Sequence, residues 1–166
     1  LPIMGGDAGL SPLPKAWQPV ASHGSRGAIF YQAESLKADG DGEIKAVKGE
    51  LWSGEKLLVW RPKKEGNKLS LTLDVKKAGR YAIVMTSAMT PDSGCFRARC
   101  DGRQLTPQGN GTAVDLRSSH QTMLRNVAWK PVDLKGGTHV IELEAAGKSS
   151  PESMIGLDFI WLQPRT

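Results

Sequence analysis

The stretch KLSLTLDV, residues 68–75, decides the reading of this chain. Leu69, Leu71, Leu73 and Val75 alternate with Ser70, Thr72 and Asp74, and a period of two places one set of side chains on one face of a strand. Working outward, residues 80–87 (RYAIVMTS) follow a glycine turn and are apolar on both faces, as suits a strand in the middle of a sheet. Residues 94–100 (GCFRARC) put Phe96, Ala98 and Cys100 on one side, with Arg97 and Arg99 on the other. Asp101-Gly102 then marks a hairpin turn, because both residues tolerate positive φ. Residues 127–134, 138–145 and 155–162 read as further strands, and Lys135-Gly136-Gly137 turns between the first two. Upstream, residues 28–36, 43–47 and 56–60 are strand candidates. No window carries a sustained i, i+3, i+4, i+7 stripe. The pattern predicts an all-β fold, an antiparallel β-sandwich.

The 166 residues, 39% hydrophobic and 23% charged, fit one globular domain. No uncharged stretch approaches the roughly 20 apolar residues of a membrane helix, so no membrane span is expected. Residues 1–27 are rich in Gly, Pro, Ser and Ala without strand or helix period, and read as a linker or an N-terminal strap that Trp17 could anchor. The sandwich domain is assigned to residues 28–166. A chain that starts at Leu1, without a signal peptide, reads as a mature form or a piece of something longer.

The net charge of +5 favours anionic partners. The densest basic cluster, Arg61-Pro62-Lys63-Lys64, precedes Gly66 and reads as a solvated turn. With no helix-turn-helix, zinc-finger or base-stacking signature beside it, nucleic acid is not an expected partner. Cys95 and Cys100 lie five apart on one strand, hence on opposite faces, and read as small apolar residues and not a disulfide.

No nucleophile elbow, HExxH, Walker loop or GxGxxG is present. His23, His120 and His139 are far apart; His139 sits on an apolar strand face and reads as a hydrogen-bonded structural residue, whereas His120 lies in a polar loop. A dispersed pair of carboxylates of the glycosidase or lyase kind stays open at this stage, since such partners need only meet in space.

Four motifs stand in a telling order: Tyr31-Gln32-Ala33-Glu34; Trp52-Ser53-Gly54 leading into Leu57-Leu58-Val59-Trp60; Leu69, Leu71 and Leu73 leading to Ala78-Gly79-Arg80-Tyr81; and Gly156-Leu157-Asp158-Phe159-Ile160-Trp161-Leu162. Over residues 28–163 the chain resembles the galactose-binding-like modules, especially family 6 and family 35 carbohydrate-binding modules. It is similar also to C-terminal sandwich domains of bacterial glycan-processing enzymes. The resemblance implies a jelly-roll, and a structural Ca²⁺ between the first and last strands with Glu34 and Asp158 as ligands. Gln32 departs from it, because the family commonly has a second carboxylate there. The other reading of Glu34 and Asp158 is pairing with Lys or Arg.

The same resemblance implies sugar binding through aromatic faces and polar side chains at one edge of the sandwich. The candidates are Trp52 and Trp129 as platforms and His120, Gln121 and Arg125 as hydrogen-bonding groups, with Trp60 and Trp161 assigned to packing. The expected function is a noncatalytic module that binds a polysaccharide or oligosaccharide, including acidic ones, attached to a neighbouring catalytic domain of a secreted or periplasmic protein. The alternative is a structural or protein-interaction sandwich that packs on a catalytic domain without holding sugar.

Overall fold

The computed structural model describes residues 28–49, 56–109, 111–119, 122–146 and 153–165. Among the described residues thirteen strands run in chain order: β1 (Ile29–Gln32), β2 (Lys37–Gly40), β3 (Glu43–Lys48), β4 (Lys56–Arg61), β5 (Lys68–Val75), β6 (Gly79–Met89), β7 (Cys95–Cys100), β8 (Arg103–Gln104), β9 (Val114–Asp115), β10 (Met123–Ala128), β11 (Val132–Leu134), β12 (Gly137–Ala146) and β13 (Ile155–Arg165). One sheet has the order β10-β6-β13-β4-β3, with β1 on β13 and β11 on β6. The other has the order β2-β5-β12-β7-β8, with β9 on β7. All the strand ladders are antiparallel. This is the sandwich that the alternating pattern predicts.

The core lies between the two sheets. Leu69, Leu71, Leu73 and Val75 of β5 meet Tyr81, Ile83 and Met85 of β6, with Phe96 and Ala98 of β7, Ile141 and Leu143 of β12, and Leu157, Ile160 and Leu162 of β13. A second cluster, Leu57, Val59 and Ala88 with Met154, forms on the outward face of the first sheet. Cys95 and Cys100 are free thiols.

Two stretches depart from the sequence reading. Residues 28–36 do not make one strand: β1 ends at Gln32, and a 3-10 turn, Ala33–Ser35, carries the chain over to β2 in the opposite sheet. Residues 127–134 also split, because Pro131 has no N–H to give the ladder. At the break the Trp129 N–H donates to the Ile83 carbonyl (3.0 Å), and the ring turns into the core against Phe96, centroids 6.1 Å apart. Gln108 Nε2 donates to the Trp129 carbonyl (3.0 Å) and Lys130 N–H to the Thr106 carbonyl (2.8 Å). Trp129 thus closes one edge of the sandwich.

The β2–β3 turn crosses between the sheets in two residues. Asp41 is fastened by its N–H to the Lys68 carbonyl (2.8 Å) and by Oδ2, which accepts from the Lys68 N–H (3.0 Å). The Trp60 indole N–H donates to the Asp41 carbonyl (2.7 Å). Gly42 follows at φ 82°, and a Cβ there would come 2.4 Å from the Arg61 carbonyl oxygen.

Two outcomes follow for stability, both read by urea unfolding. Trp129→Ala leaves a large cavity at a fully buried site and should cost about 3–5 kcal/mol; a loss below about 1 kcal/mol would contradict the core role. Gly42→Ala should cost about 1–3 kcal/mol through the left-handed backbone and the close carbonyl; unchanged stability would refute the tight crossover.

Candidate functional site

At one end of the sandwich the connections are laced together by backbone hydrogen bonds. The link between β6 and β7, Thr90-Pro91-Asp92-Ser93-Gly94, is a turn sequence of the kind whose hydroxyls bond their own backbone. Ser93 Oγ accepts from the Thr90 N–H (3.0 Å), and Thr90 Oγ1 accepts from the Asp92 N–H (3.1 Å). The Leu116 N–H donates to Gly94 O (3.2 Å) and the Ser118 N–H to Thr90 O (3.0 Å), which ties in the link between β9 and β10. The Gly94 N–H donates to Met154 O (2.9 Å) and the Met154 N–H to Asp92 O (2.9 Å), which ties in the residues before β13.

Two exposed arginines stand on this frame. Arg117 donates its backbone N–H to Asp115 Oδ1 (2.9 Å), and Arg125 Nη1 donates to the Asp115 carbonyl (3.1 Å). Among the described residues neither guanidinium forms an ion pair with a carboxylate. Arg125 was a sequence candidate; Arg117 was not, because only the bridge from Thr90 to Arg117 brings it to this end.

The other sugar candidates divide. Trp52, His120 and Gln121 lie outside the described residues. Trp129 is corrected: it is 0% exposed, so its ring has no face for a sugar. Of the two tryptophans assigned to packing, Trp60 is fully buried. Trp161 is partly exposed and clusters with Phe30 (5.4 Å, edge-on) and Phe159 (5.9 Å) on the outward face of the first sheet. Sequence alone could not separate these roles, since all three tryptophans sit in or beside strands.

The register sets the turn that carries Glu34 against the strand that carries Asp158. β13 pairs with β4 as far as Leu157 and with β1 from Phe159 onward, and the ladder to β6 slips between these two residues. Asp158 occupies that bulge, 1% exposed. The turn carrying Glu34 leaves β1 just after Gln32, the partner of Phe159, and packs against β13 and β4. Glu34 Oε1 is buried with no hydrogen-bond partner among the described residues, and Gln32 Oε1 and Asp158 Oδ1 are buried oxygens as well. Burial raises the Glu34 pKa above the usual carboxylate value, outweighing its own backbone N–H and the charge of Lys56. A donor set of hard oxygens, two of them from carboxylates, fits Ca²⁺, which takes about six to eight such ligands with carbonyls and water completing the shell. Gln32 in place of a carboxylate lowers the charge of the set without changing its oxygen character.

No protein-family model matches the sequence, and no curated protein matches it. Solved structures do match in fold. A xanthan lyase from Paenibacillus superposes with a TM-score of 0.73 at 19% identity, over 82% of this chain and 13% of the lyase. A family 35 carbohydrate-binding module from Clostridium thermocellum gives 0.59 at 16% identity, over 84% of this chain and 99% of the module. The GH26-CBM35 β-(1,4)-mannanase of Podospora anserina gives 0.59 at 14% identity, over 84% and 28%. The chain therefore spans only a small part of the two enzymes, and nearly all of the module. In fold the chain is thus similar to a family 35 carbohydrate-binding module, a sandwich of two antiparallel sheets.

Proposed function

We propose that the chain is a noncatalytic carbohydrate-binding module, part of a larger secreted or periplasmic glycan-processing protein, and that it takes a polysaccharide or oligosaccharide bearing acidic groups. The observation that carries this reading is the laced loop end, where Arg117 and Arg125 stand exposed and, among the described residues, without carboxylate partners. A guanidinium offers a planar fork of N–H donors that matches a uronate carboxylate or a sulfate. Held on a frame already hydrogen-bonded, such groups lose little freedom on binding. The net charge of +5 supports the same ligand class. Trp52 is the platform for a pyranose face, and His120 and Gln121 supply hydrogen bonds to hydroxyls. The near-complete superposition on a free-standing module supports the noncatalytic reading, and the partial coverage of the lyase and the mannanase supports attachment to a catalytic domain.

Ca²⁺ belongs to the same proposal, with Glu34 and Asp158 as its carboxylate ligands and Gln32 beside them. Bound there, it supplies structural fastening of the first strand's turn to the β13 bulge. Glu34 and Asp158 hold the two pieces of chain in place around it.

One observation favours a second reading. The Phe30–Phe159–Trp161 cluster, in which Phe159 is buried and Phe30 and Trp161 are partly exposed, suits a structural sandwich that packs on a neighbouring domain.

Glycan-array binding followed by calorimetry tests the first reading. Retention of uronate- or sulfate-bearing glycans is expected, and Arg125→Ala should weaken it at least tenfold, about 1.4 kcal/mol, with unfolding unchanged. Trp52→Ala should do the same. Binding to no glycan would move the assignment to the packing role. For calcium, the chain at a hundredfold excess over Kd should gain about 2.7 kcal/mol of stability, reversed by EDTA. Glu34→Gln and Asp158→Asn should abolish that response, and a parent protein indifferent to Ca²⁺ would overturn the metal assignment.

A further inference from the structure

At the end of the sandwich opposite the loop site, β7 finishes at Cys100 and turns back through Asp101-Gly102. Asp101 sits at φ 51°, in the left-handed region that Asp tolerates in a hairpin turn. It is locked against β12: its N–H donates to Val140 O (2.9 Å) and its Oδ1 accepts from the Val140 N–H (2.9 Å). That leaves Oδ2 free to face two other groups. His139 Nδ1 lies 2.5 Å from Oδ2, and Cys100 Sγ lies 3.8 Å from it.

The protonation logic of His139 is restrictive. Nε2 lies 2.6 Å from the Lys135 carbonyl, which only accepts, so Nε2 carries a hydrogen. Nδ1 then faces a carboxylate oxygen, also an acceptor, at 2.5 Å. Two lone pairs do not approach that closely without a positive particle between them. A proton fills the role in the metal-free protein, and burial of the imidazole is outweighed by its bonds to Asp101 and Lys135, which hold its pKa above the usual value.

The geometry points to a transition-metal site of the zinc class, formed by Cys100 Sγ, Asp101 Oδ2 and His139 Nδ1. These atoms lie within 4.8 Å of one another. Thiolate, imidazole and carboxylate are the donors zinc takes, and the nitrogen and sulfur argue against calcium or magnesium. The Nε2–H bond to a backbone carbonyl is how ligating histidines are commonly oriented. Ligands on one tetrahedral zinc stand roughly 3.5 Å apart; the Cys–Asp spacing already suits that, and the His139–Asp101 spacing widens on binding by a turn of the exposed carboxylate about its Oδ1 bond to Val140. Water from that exposed side completes the coordination. Binding releases two protons to solvent, one from the thiol and one from between Nδ1 and Oδ2, and leaves no redox change. Burial first, then the neighbouring Asp101 carboxylate, push the Cys100 thiol up to about 12, so without metal it stays protonated.

Co²⁺ titration of the full chain under reducing conditions tests the site, with Zn²⁺ as competitor. The expected result is visible d–d absorption together with a near-ultraviolet thiolate-to-cobalt band, both displaced by Zn²⁺. Cys100→Ser should remove the thiolate band, and His139→Asn should weaken Zn²⁺ at least tenfold by calorimetry, with circular dichroism confirming that each variant is folded. Cys95→Ser should leave both signals intact. Absence of the thiolate band in the parent, or its survival in folded Cys100→Ser, would overturn the proposal and leave Asp101–His139 a hydrogen-bonded turn lock.

Discussion

The long ladder between β6 and β13 constrains everything else in this molecule. These two strands run antiparallel from Gly156 opposite Ala88 to Arg165 opposite Arg80, and they form the spine of the first sheet. The other edge of β13 serves two partners in succession, β4 and then β1, because neither is long enough to cover it. The slip at Asp158 is where one partner gives way to the other. A chain that turns off β1 at that point lays the Glu34 turn against the strand of a buried aspartate, so that arrangement is a consequence of strand pairing and not of any local motif.

Burial, not surface charge, holds the sheets together. The outward face of the second sheet carries Arg99 Nη1 3.0 Å from Glu144 and 3.3 Å from Glu142, with Lys68 Nζ 3.9 Å from Glu142. Partly exposed pairs of this kind contribute about 0–1 kcal/mol each. A single buried leucine or aromatic side chain contributes roughly 1.5–3 kcal/mol. The charge ladder therefore acts mainly on register, since a one-residue slip would move Glu142 and Glu144 from Arg99 and Arg97 to uncharged neighbours on β7 and turn Leu69, Leu71 and Leu73 to solvent.

The two ends of the sandwich carry different chemistry because they are built differently. At one end, separate connections are joined through the hydroxyls of Thr90 and Ser93 and through carbonyls on Gly94, Thr90 and Met154, so that exposed arginines stand on a stiff base. At the other, tight turns after β7 and before β12 bring Asp101 and His139 together with Cys100 at the rim of the core.

The sandwich was legible in the amino-acid order because alternation is a local property: period two in residues 68–75 and 94–100, with turn residues between, specifies strands with one dry face wherever they pair. The Asp101-Gly102 turn and the free cysteines followed from equally local rules. The role of each tryptophan was not legible. Trp129 reads as a loop-side platform until the break before Pro131, the bond from its own N–H to Ile83's carbonyl, the bond from Gln108 to its carbonyl and its full burial show it folded into the core. Likewise Arg117 with Thr90, Asp158 with the turn of Glu34, and His139 with Asp101 are pairings across strands far apart in sequence. Side-chain type and spacing thus determined the fold class by themselves. Which groups meet was decided only by strand order and register, because distances between strands are set by pairing partners and not by neighbours along the chain.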